Sequence, residues 1–307
     1  MDQFTIIVYQ LFQFGVMLTA GYLAARAGVL SEPFLNGLAR LIMSLLLPTL
    51  IFANAANGAT RAHLIESYSI MLLALGMYAG LTAVSALLAR IAGLRGERSG
   101  VYRAAMIFGN AGFIGIPLLM GIFPENGAIY IVLMSIVDQG FLWTYGLWLT
   151  KPDSGRIEFR GKNFFNPALA AVGLVIILLA LDITLPAVVV DPLLSIGTAA
   201  TPLSLIYLGG LTFHSNWRPV LRSKELYLGI AFKMLAFPVV FHWVASRFCA
   251  NQDLVKALAV ISALPTMVAV AMFAKTHDNQ GDYALGLVLA TTLASLVTLT
   301  AVSYLIF

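Results

Sequence analysis

Apolar residues dominate this chain in long runs that polar residues only punctuate. Ten of these runs match the roughly 17–25 residues a helix needs to cross a bilayer. They cover 4–25, 34–54, 65–90, 101–121, 127–149, 163–182, 189–211, 226–248, 254–275 and 283–306. No run shows sustained alternation of apolar and polar positions, so strands are not expected. The connecting segments are too short to hold a soluble domain. The pattern predicts an all-α polytopic membrane protein of ten spans, since helices satisfy their own backbone groups in lipid.

Two runs are interrupted. The fourth carries Gly109-Asn110-Ala111-Gly112-Phe113-Ile114-Gly115-Ile116-Pro117, which mixes glycines, a proline and an uncharged amide into apolar surroundings. Proline has no N–H to give, and glycine weakens a helix around it. In hydrocarbon such a break is tolerated only where the freed groups face protein or a wet cavity. A proline-kinked helix packed through small residues is the plainer alternative. Pro265 interrupts the ninth run in the same manner.

Composition agrees with this reading. Hydrophobic residues make up 60% of the chain and charged residues 10%, the balance of a membrane protein. The net charge of +4 does not indicate a nucleic-acid partner, because the charges lie between the runs. With the N-terminus on side A, fourteen Lys and Arg fall on side B and three (Arg61, Arg247, Lys256) on side A, while Lys233 falls inside a span. That bias makes side B cytoplasmic and puts both termini outside; the membrane is expected to be a plasma membrane, a bacterial inner membrane. Met1-Asp2-Gln3 leads straight into apolar residues, which reads as a first span and not a signal peptide. Cys249 is the single cysteine, so no intrachain disulfide forms. The four histidines show no metal-ligand spacing, no cofactor motif is present, and no paired acids or nucleophile–base set emerges, so no enzyme is expected.

Ten spans divide into a first five-helix repeat over 1–150, a short cytoplasmic linker over 151–162 and a second repeat over 163–307. An odd number per half inverts the second half in the membrane. Pro48-Thr49-Leu50-Ile51-Phe52 is echoed by Pro202-Leu203-Ser204-Leu205-Ile206-Tyr207, and Pro117 by Pro265. Paired interruptions in matching positions of two halves point to a transporter's binding site.

At about 1.5 Å rise per residue, Asn110 lies ~14 Å and Lys233 ~12 Å from side B, with Pro265 ~18 Å and Asp138 ~17 Å from side A. All four sit near the middle of a ~30 Å hydrocarbon layer. A lone charge there costs about 2.5–3.5 kcal/mol on insertion scales. Two readings of Asp138 and Lys233 stand side by side. They form a structural ion pair joining spans 5 and 8, or they work separately, Lys233 balancing an anionic substrate and Asp138 taking up a proton. Where a broken helix restarts, its N-terminal end presents bare N–H donors and partial positive charge. With Asn110 nearby, such ends suit a carboxylate, and Thr266, Ser262 and Gln139 are placed to add hydrogen bonds. Gly76-x-x-x-Gly80 reads as internal packing. Asn54 and Asn57 are expected at the side A interface, and the tryptophans, Trp143 among them, in interfacial belts.

Gly109-Asn110-x4-Gly115-Ile116-Pro117-Leu118-Leu119 resembles the fourth-span signature of the auxin efflux carrier family. Ala263-Leu264-Pro265 through Phe273-Ala274-Lys275 resembles its ninth-span signature. Leu47-Pro48-Thr49-Leu50-Ile51-Phe52, Asn166-Pro167, Tyr207-Leu208-Gly209-Gly210-Leu211 and Lys233-x4-Pro238 also match, in order along the chain. The resemblance implies two inverted five-helix repeats, as in bile acid symporters and sodium–proton antiporters. It implies a scaffold of spans 1, 2, 6 and 7 that forms a homodimer, and a mobile transport domain of spans 3–5 and 8–10. Spans 4 and 9 would be broken and cross at Pro117 and Pro265, with an elevator-like motion. The family's site asparagine maps onto Asn110, and the substrate-binding residues expected around the crossing are Asn110, Ala111, Gly112, Ile116, Pro117, Leu264, Pro265, Thr266 and Met267; the polar groups read from the spans add Asp138, Lys233 and Gln139 for charge and coupling. The short linker is like that of bacterial members, which are linked to dicarboxylates such as malonate and malate, and unlike the long loop of plant auxin carriers. The expected partners are thus a small organic anion, protons and the lipid bilayer. Sodium–proton antiport is a rival, but it calls for a mid-membrane carboxylate pair and only Asp138 is available. A membrane enzyme or retinal photoreceptor is a more distant one.

Overall fold

The computed structural model describes residues 3–58, 68–123, 127–152 and 167–307. Most of the expected linker, with Arg156, Arg160 and Lys162, lies outside these residues, as do Arg61, His63 and Asn166. The described residues form helices joined by short turns, with no strand among them. The apolar runs are where the helices lie. In order they are α1 (Gln3–Arg26), α2 (Glu32–Asn54) and α3 (Tyr68–Ile91), α4 (Gly96–Ile107), α5 (Ile116–Ile122) and α6 (Gly127–Phe141). There follow α7 (Pro167–Ala180), α8 (Ala187–His214) and α9 (Lys224–Ala245), α10 (Gln252–Ser262), α11 (Val268–Thr276) and α12 (Gly281–Ile306). Among the described residues, α2, α3, α8, α9 and α12 are each long and apolar enough to cross a membrane. α4 and α10, with 12 and 11 residues, reach only about 16–18 Å.

The helices pack in two groups. α1 lies along α8, while α7 and the first part of α8 lie along α2. Small residues let these backbones approach closely. A Cβ on Gly209 would meet the Leu18 carbonyl oxygen at 2.0 Å, and one on Gly21 the Ile206 oxygen at 2.1 Å. The second group brings α3 against α4 and α6, and α12 against α11 and α9. Gly80 lets Phe237 of α9 come within 2.9 Å of where its Cβ would stand, so this glycine of the pair serves internal packing. At one end of this group Arg98 donates to the buried Glu225 carboxylate at 2.6 Å, tying α4 to α9.

Prolines within these helices do not stop them. A widened π-helical turn precedes three of them at the same offset. Ile42–Leu46 ends two residues before Pro48, Ala111–Gly115 two before Pro117 and Ile230–Ala236 two before Pro238. A proline ring clashes with the carbonyl four residues back and leaves it without a donor. Adding a residue to the turn moves that carbonyl aside and gives it a partner one place further on. Pro117 therefore sits inside a helical stretch that runs from Ala111 to Ile122.

Candidate functional site

The chain leaves helical geometry at two places that meet. α4 ends at Ile107, and the backbone is extended at Phe108 before a helical turn restarts at Ala111. α10 ends at Ser262, and α11 starts at Val268 after an extended Met267. Gly109 and Thr266 face each other as an antiparallel bridge. Asn110 N–H donates to the Pro265 carbonyl at 2.8 Å and Met267 N–H to the Phe108 carbonyl at 2.9 Å. Each break thus satisfies backbone groups that the other has freed, which is what a water-poor interior demands. Gly109 is required by this approach. A Cβ there would stand 3.1 Å from Leu264 Cβ and 3.3 Å from the Ile261 oxygen.

The meeting point differs from the expected one. Pro265 lies in it, with its carbonyl accepting from Asn110, but the bridged residues are Gly109 and Thr266, and Pro117 sits further along within the restarted helix. A π-helical turn absorbs the missing N–H of Pro117, while the crowding of two backbones needs a residue without a side chain.

A cavity of about 780 Å³, solvent-open space included, borders this crossing. Asn110, Ala111 and Gly112 from the first restart and Met267, Val268 and Ala269 from the second line it. The Asn110 carbonyl accepts from the N–H groups of Ile114 and Gly115 at 3.1 and 3.2 Å, closing the first turn. Both restarting helices therefore begin at the cavity wall, where partial positive charge gathers. α6 contributes Met134, Ser135, Asp138 and Gln139, α2 contributes Leu47, Leu50, Ile51 and Asn54, and α8 contributes Ser204.

Of the residues expected at a site, the structure brings Asn110, Ala111, Gly112, Met267, Asp138 and Gln139 to this wall. Leu264, Pro265, Thr266 and Lys233 are not among the lining residues. Thr266 is spent on joining the halves: its hydroxyl donates to the Ala105 carbonyl at 2.9 Å and its N–H to Thr291 Oγ1 at 3.1 Å. Ser262, buried, donates to its own helix at Ala259. The side chains of Ile116 and Pro117 lie outside the described ones.

Asp138 and Lys233 form no ion pair with each other. The Asp138 carboxylate accepts from the Tyr78 hydroxyl on one oxygen and from Gln139 Nε2, at 2.8 Å, on the other. Gln139 is held in turn by Trp143 Nε1 at 3.2 Å. The Lys233 ammonium instead donates to the Leu264 carbonyl within the second break. Of the two readings, the structural ion pair fails, because each group finds another partner.

Several site residues escape a reading of the sequence. Asn54 lines the cavity, and Trp143, 5% exposed, is buried against Phe273 and not in a belt. Tyr78 lies between the two glycines of the packing motif, where a phenol buried in a span already implies a polar partner. Ser204 Oγ is buried and has no hydrogen-bond partner among the described residues, yet it borders the cavity. Its place in the echo of Pro48 by Pro202 was the available signal.

A helical membrane protein with a largely apolar cavity, edged by a few polar groups at paired helix interruptions, has the build of a multi-pass membrane transporter. The comparisons agree. The model of the family described as Membrane transport protein matches residues 6–162 and 157–303, so the chain belongs to that family, the auxin efflux carriers. An uncharacterized transporter of Methanothermobacter thermautotrophicus is 26% identical over 294 residues, covering 92% of this chain and 93% of that protein. An uncharacterized transporter of Methanocaldococcus jannaschii is 25% identical over 205 residues, 63% of this chain and 65% of that protein. Family and relatives alike point to a transporter and not an enzyme.

Proposed function

We propose that this protein is a secondary carrier of a small organic anion that works by elevator-type alternating access. The observation that carries the reading is the cavity wall, where two helices restart side by side beside Asn110. Their N-terminal ends offer N–H donors and positive potential to one carboxylate group. Among the described residues neither Lys nor Arg lines the cavity, so a second carboxylate on the same molecule meets no cation among them. Ten of the lining residues are Leu, Ile, Val, Met or Ala. That balance favours one carboxylate on an apolar body over malonate or malate, because an apolar wall desolvates a second charge without repaying the cost.

Asp138 is the acid on this wall, and an anion beside an ionised Asp138 is repelled at short range. Binding is eased when Asp138 holds a proton, so we take it as the proton site that couples to the anion. Ser204, with its unpartnered hydroxyl, contributes a contact from the opposite bank.

The architecture we infer is ten spans in two inverted repeats, 1–150 and 163–307, around the linker 151–162. The ends of the two family-model matches fall within or beside that linker. The group formed by α1, α2, α7 and α8 serves as a scaffold and homodimer interface, and the remaining helices move. The cavity lies between these groups, with α2 and α8 on one bank and the crossing on the other, as an elevator requires. Both termini lie outside a plasma membrane with Lys and Arg inside.

Uptake into proteoliposomes tests the reading, with labelled phenylacetate, indole-3-acetate, malonate and malate as probes. We expect saturable uptake of a monocarboxylate, lost in Asn110→Ala. Uptake of no anion, or wild-type uptake by Asn110→Ala, contradicts it.

A further inference from the structure

The connector between α8 and α9, residues 215–223, joins the two groups of helices. Its inner side is fixed on α12. Asn216 N–H donates to the Asp282 carboxylate at 2.9 Å. Val220 is buried, and a Cβ on Gly286 would meet its Cγ2 at 2.6 Å. Val220 belongs to a 3-10 turn, Arg218–Arg222. The Ser223 hydroxyl closes that turn on the Val220 carbonyl at 2.6 Å, and the Tyr227 hydroxyl reaches back to the Leu221 carbonyl at 2.7 Å.

The outer side has another character. Arg218, Arg222 and Lys224 are exposed, three cations within seven residues. Neither ion pair found among the described residues includes them. The two acids of this region are taken, Glu225 by Arg98 and Tyr283, and Asp282 by Lys275 and Asn216. Leu221 and Tyr227 stand exposed beside the cations, at 41% and 58%. An apolar side chain and a ring with a polar tip, set among unpaired cations, fit the level of lipid headgroups. A positive loop that only sets topology needs the cations alone, and neither the rigid seat nor the apolar neighbours.

We propose that this connector is a docking surface for the headgroups of anionic phospholipids. On the topology proposed above it faces the cytoplasm, whose leaflet carries such lipids. The guanidinium forks of Arg218 and Arg222 suit bidentate contact with phosphate oxygens, and Lys224 adds a point charge. Leu221 and Tyr227 enter the boundary between headgroup and acyl chain. Because the turn is seated on α12 and leads directly into α9, the lipid holds that end of the second helix group at the membrane surface.

The test is thermal unfolding of the purified, delipidated protein in detergent, with dioleoylphosphatidylglycerol or dioleoylphosphatidylcholine added back. It depends on neither the substrate nor the direction of transport. Phosphatidylglycerol should raise the wild-type midpoint by roughly 2–4 °C more than phosphatidylcholine, as expected for a ligand of the folded state. The difference should vanish in Arg218→Gln/Arg222→Gln. It should persist in Arg90→Gln/Arg95→Gln, which removes the same charge from two other exposed arginines of side B. Equal loss in both pairs would assign the effect to the diffuse field of the whole face and overturn the proposal, as would no preference for phosphatidylglycerol in wild type. Glycerol 3-phosphate at equal phosphate concentration separates a lipid from a soluble phosphate. It should leave the midpoint in place, and a rise equal to that with phosphatidylglycerol overturns lipid docking. Should Arg218→Gln/Arg222→Gln give no folded protein, the single changes decide. Each should take away about half of the difference, since the cations contribute similarly, and a full difference in both overturns the proposal.

Discussion

The crossing has one open side and one closed side. On the open side a cavity reaches Asn110, Asp138 and the starts of two helices. On the closed side Lys233 donates to the Leu264 carbonyl, and Thr266 bonds to Ala105 and Thr291. Both sides handle the same problem, backbone groups freed at mid-membrane. The closed side uses the protein's own donors and acceptors, whereas on the open side two helices start at a cavity wall, where we propose that the anion binds. The difference shows that a break by itself is not a site.

Spoiling the crossing should affect both sides at once. Gly109→Val places methyl groups against Leu264 and the Ile261 carbonyl, and overpacking of this kind costs about 1–3 kcal/mol. Thermal unfolding should fall accordingly and uptake should vanish. Gly112 offers the matched control, because a Cβ there meets nothing within 4 Å. Gly112→Ala should keep wild-type stability within about 0.5 kcal/mol yet weaken anion binding, because the new methyl group enters the cavity.

On the open side alone, Tyr78→Phe removes one of two donors to the Asp138 carboxylate. Loss of a donor to a buried charged group costs about 1–3 kcal/mol, and the pH profile of uptake should move towards higher pH, because the ionised form loses support. Asp138→Asn should be gentler on stability, since it keeps the shape and removes the charge, but uptake should lose its pH dependence. An unchanged pH profile in Asp138→Asn would remove the proton from the account.

The smallest effect belongs far from the crossing. His277 lies in the turn between α11 and α12, with Nδ1 3.4 Å from Thr150 Oγ1. Burial and the nearby Lys151 hold its imidazole below the ordinary value, against a backbone hydrogen bond with Thr150 that raises it. The folded state therefore takes the proton less readily than the unfolded chain. Stability is full above the ordinary imidazole value of about 6.5 and falls as pH drops below it, until the folded protein is protonated too. His277→Gln should flatten that part of the stability profile and leave uptake at neutral pH unchanged.

Much of this was legible in the chain. Run length and the distribution of glycine and proline located the helices and both interruptions, since these follow from local backbone chemistry. The interrupted stretch begins at Gly109, where the bridge forms, but the resemblance points to Pro117 as the crossing point, a little over two turns further on. Proline signals loss of a hydrogen bond, but a π-helical turn supplies another acceptor, and only the partner backbone reveals that Gly109 is the crowded point. Asp138 and Lys233 were found as buried charges, but their partners were not, because Tyr78 and Leu264 are brought to them by packing. Asn54 and Ser204 became cavity residues only when α2 and α8 closed the opposite bank. Short polar side chains in a span have too many ordinary roles for sequence to single them out.

The most direct measurement is a cryo-electron microscopy map of the protein in lipid nanodiscs with saturating phenylacetate. The account predicts the carboxylate against Asn110–Gly112 and Met267–Ala269, within hydrogen-bonding distance of backbone N–H groups, with the ring towards Leu50 and Met272. Density for the anion elsewhere, or helices running unbroken past Gly109 and Thr266, would contradict it.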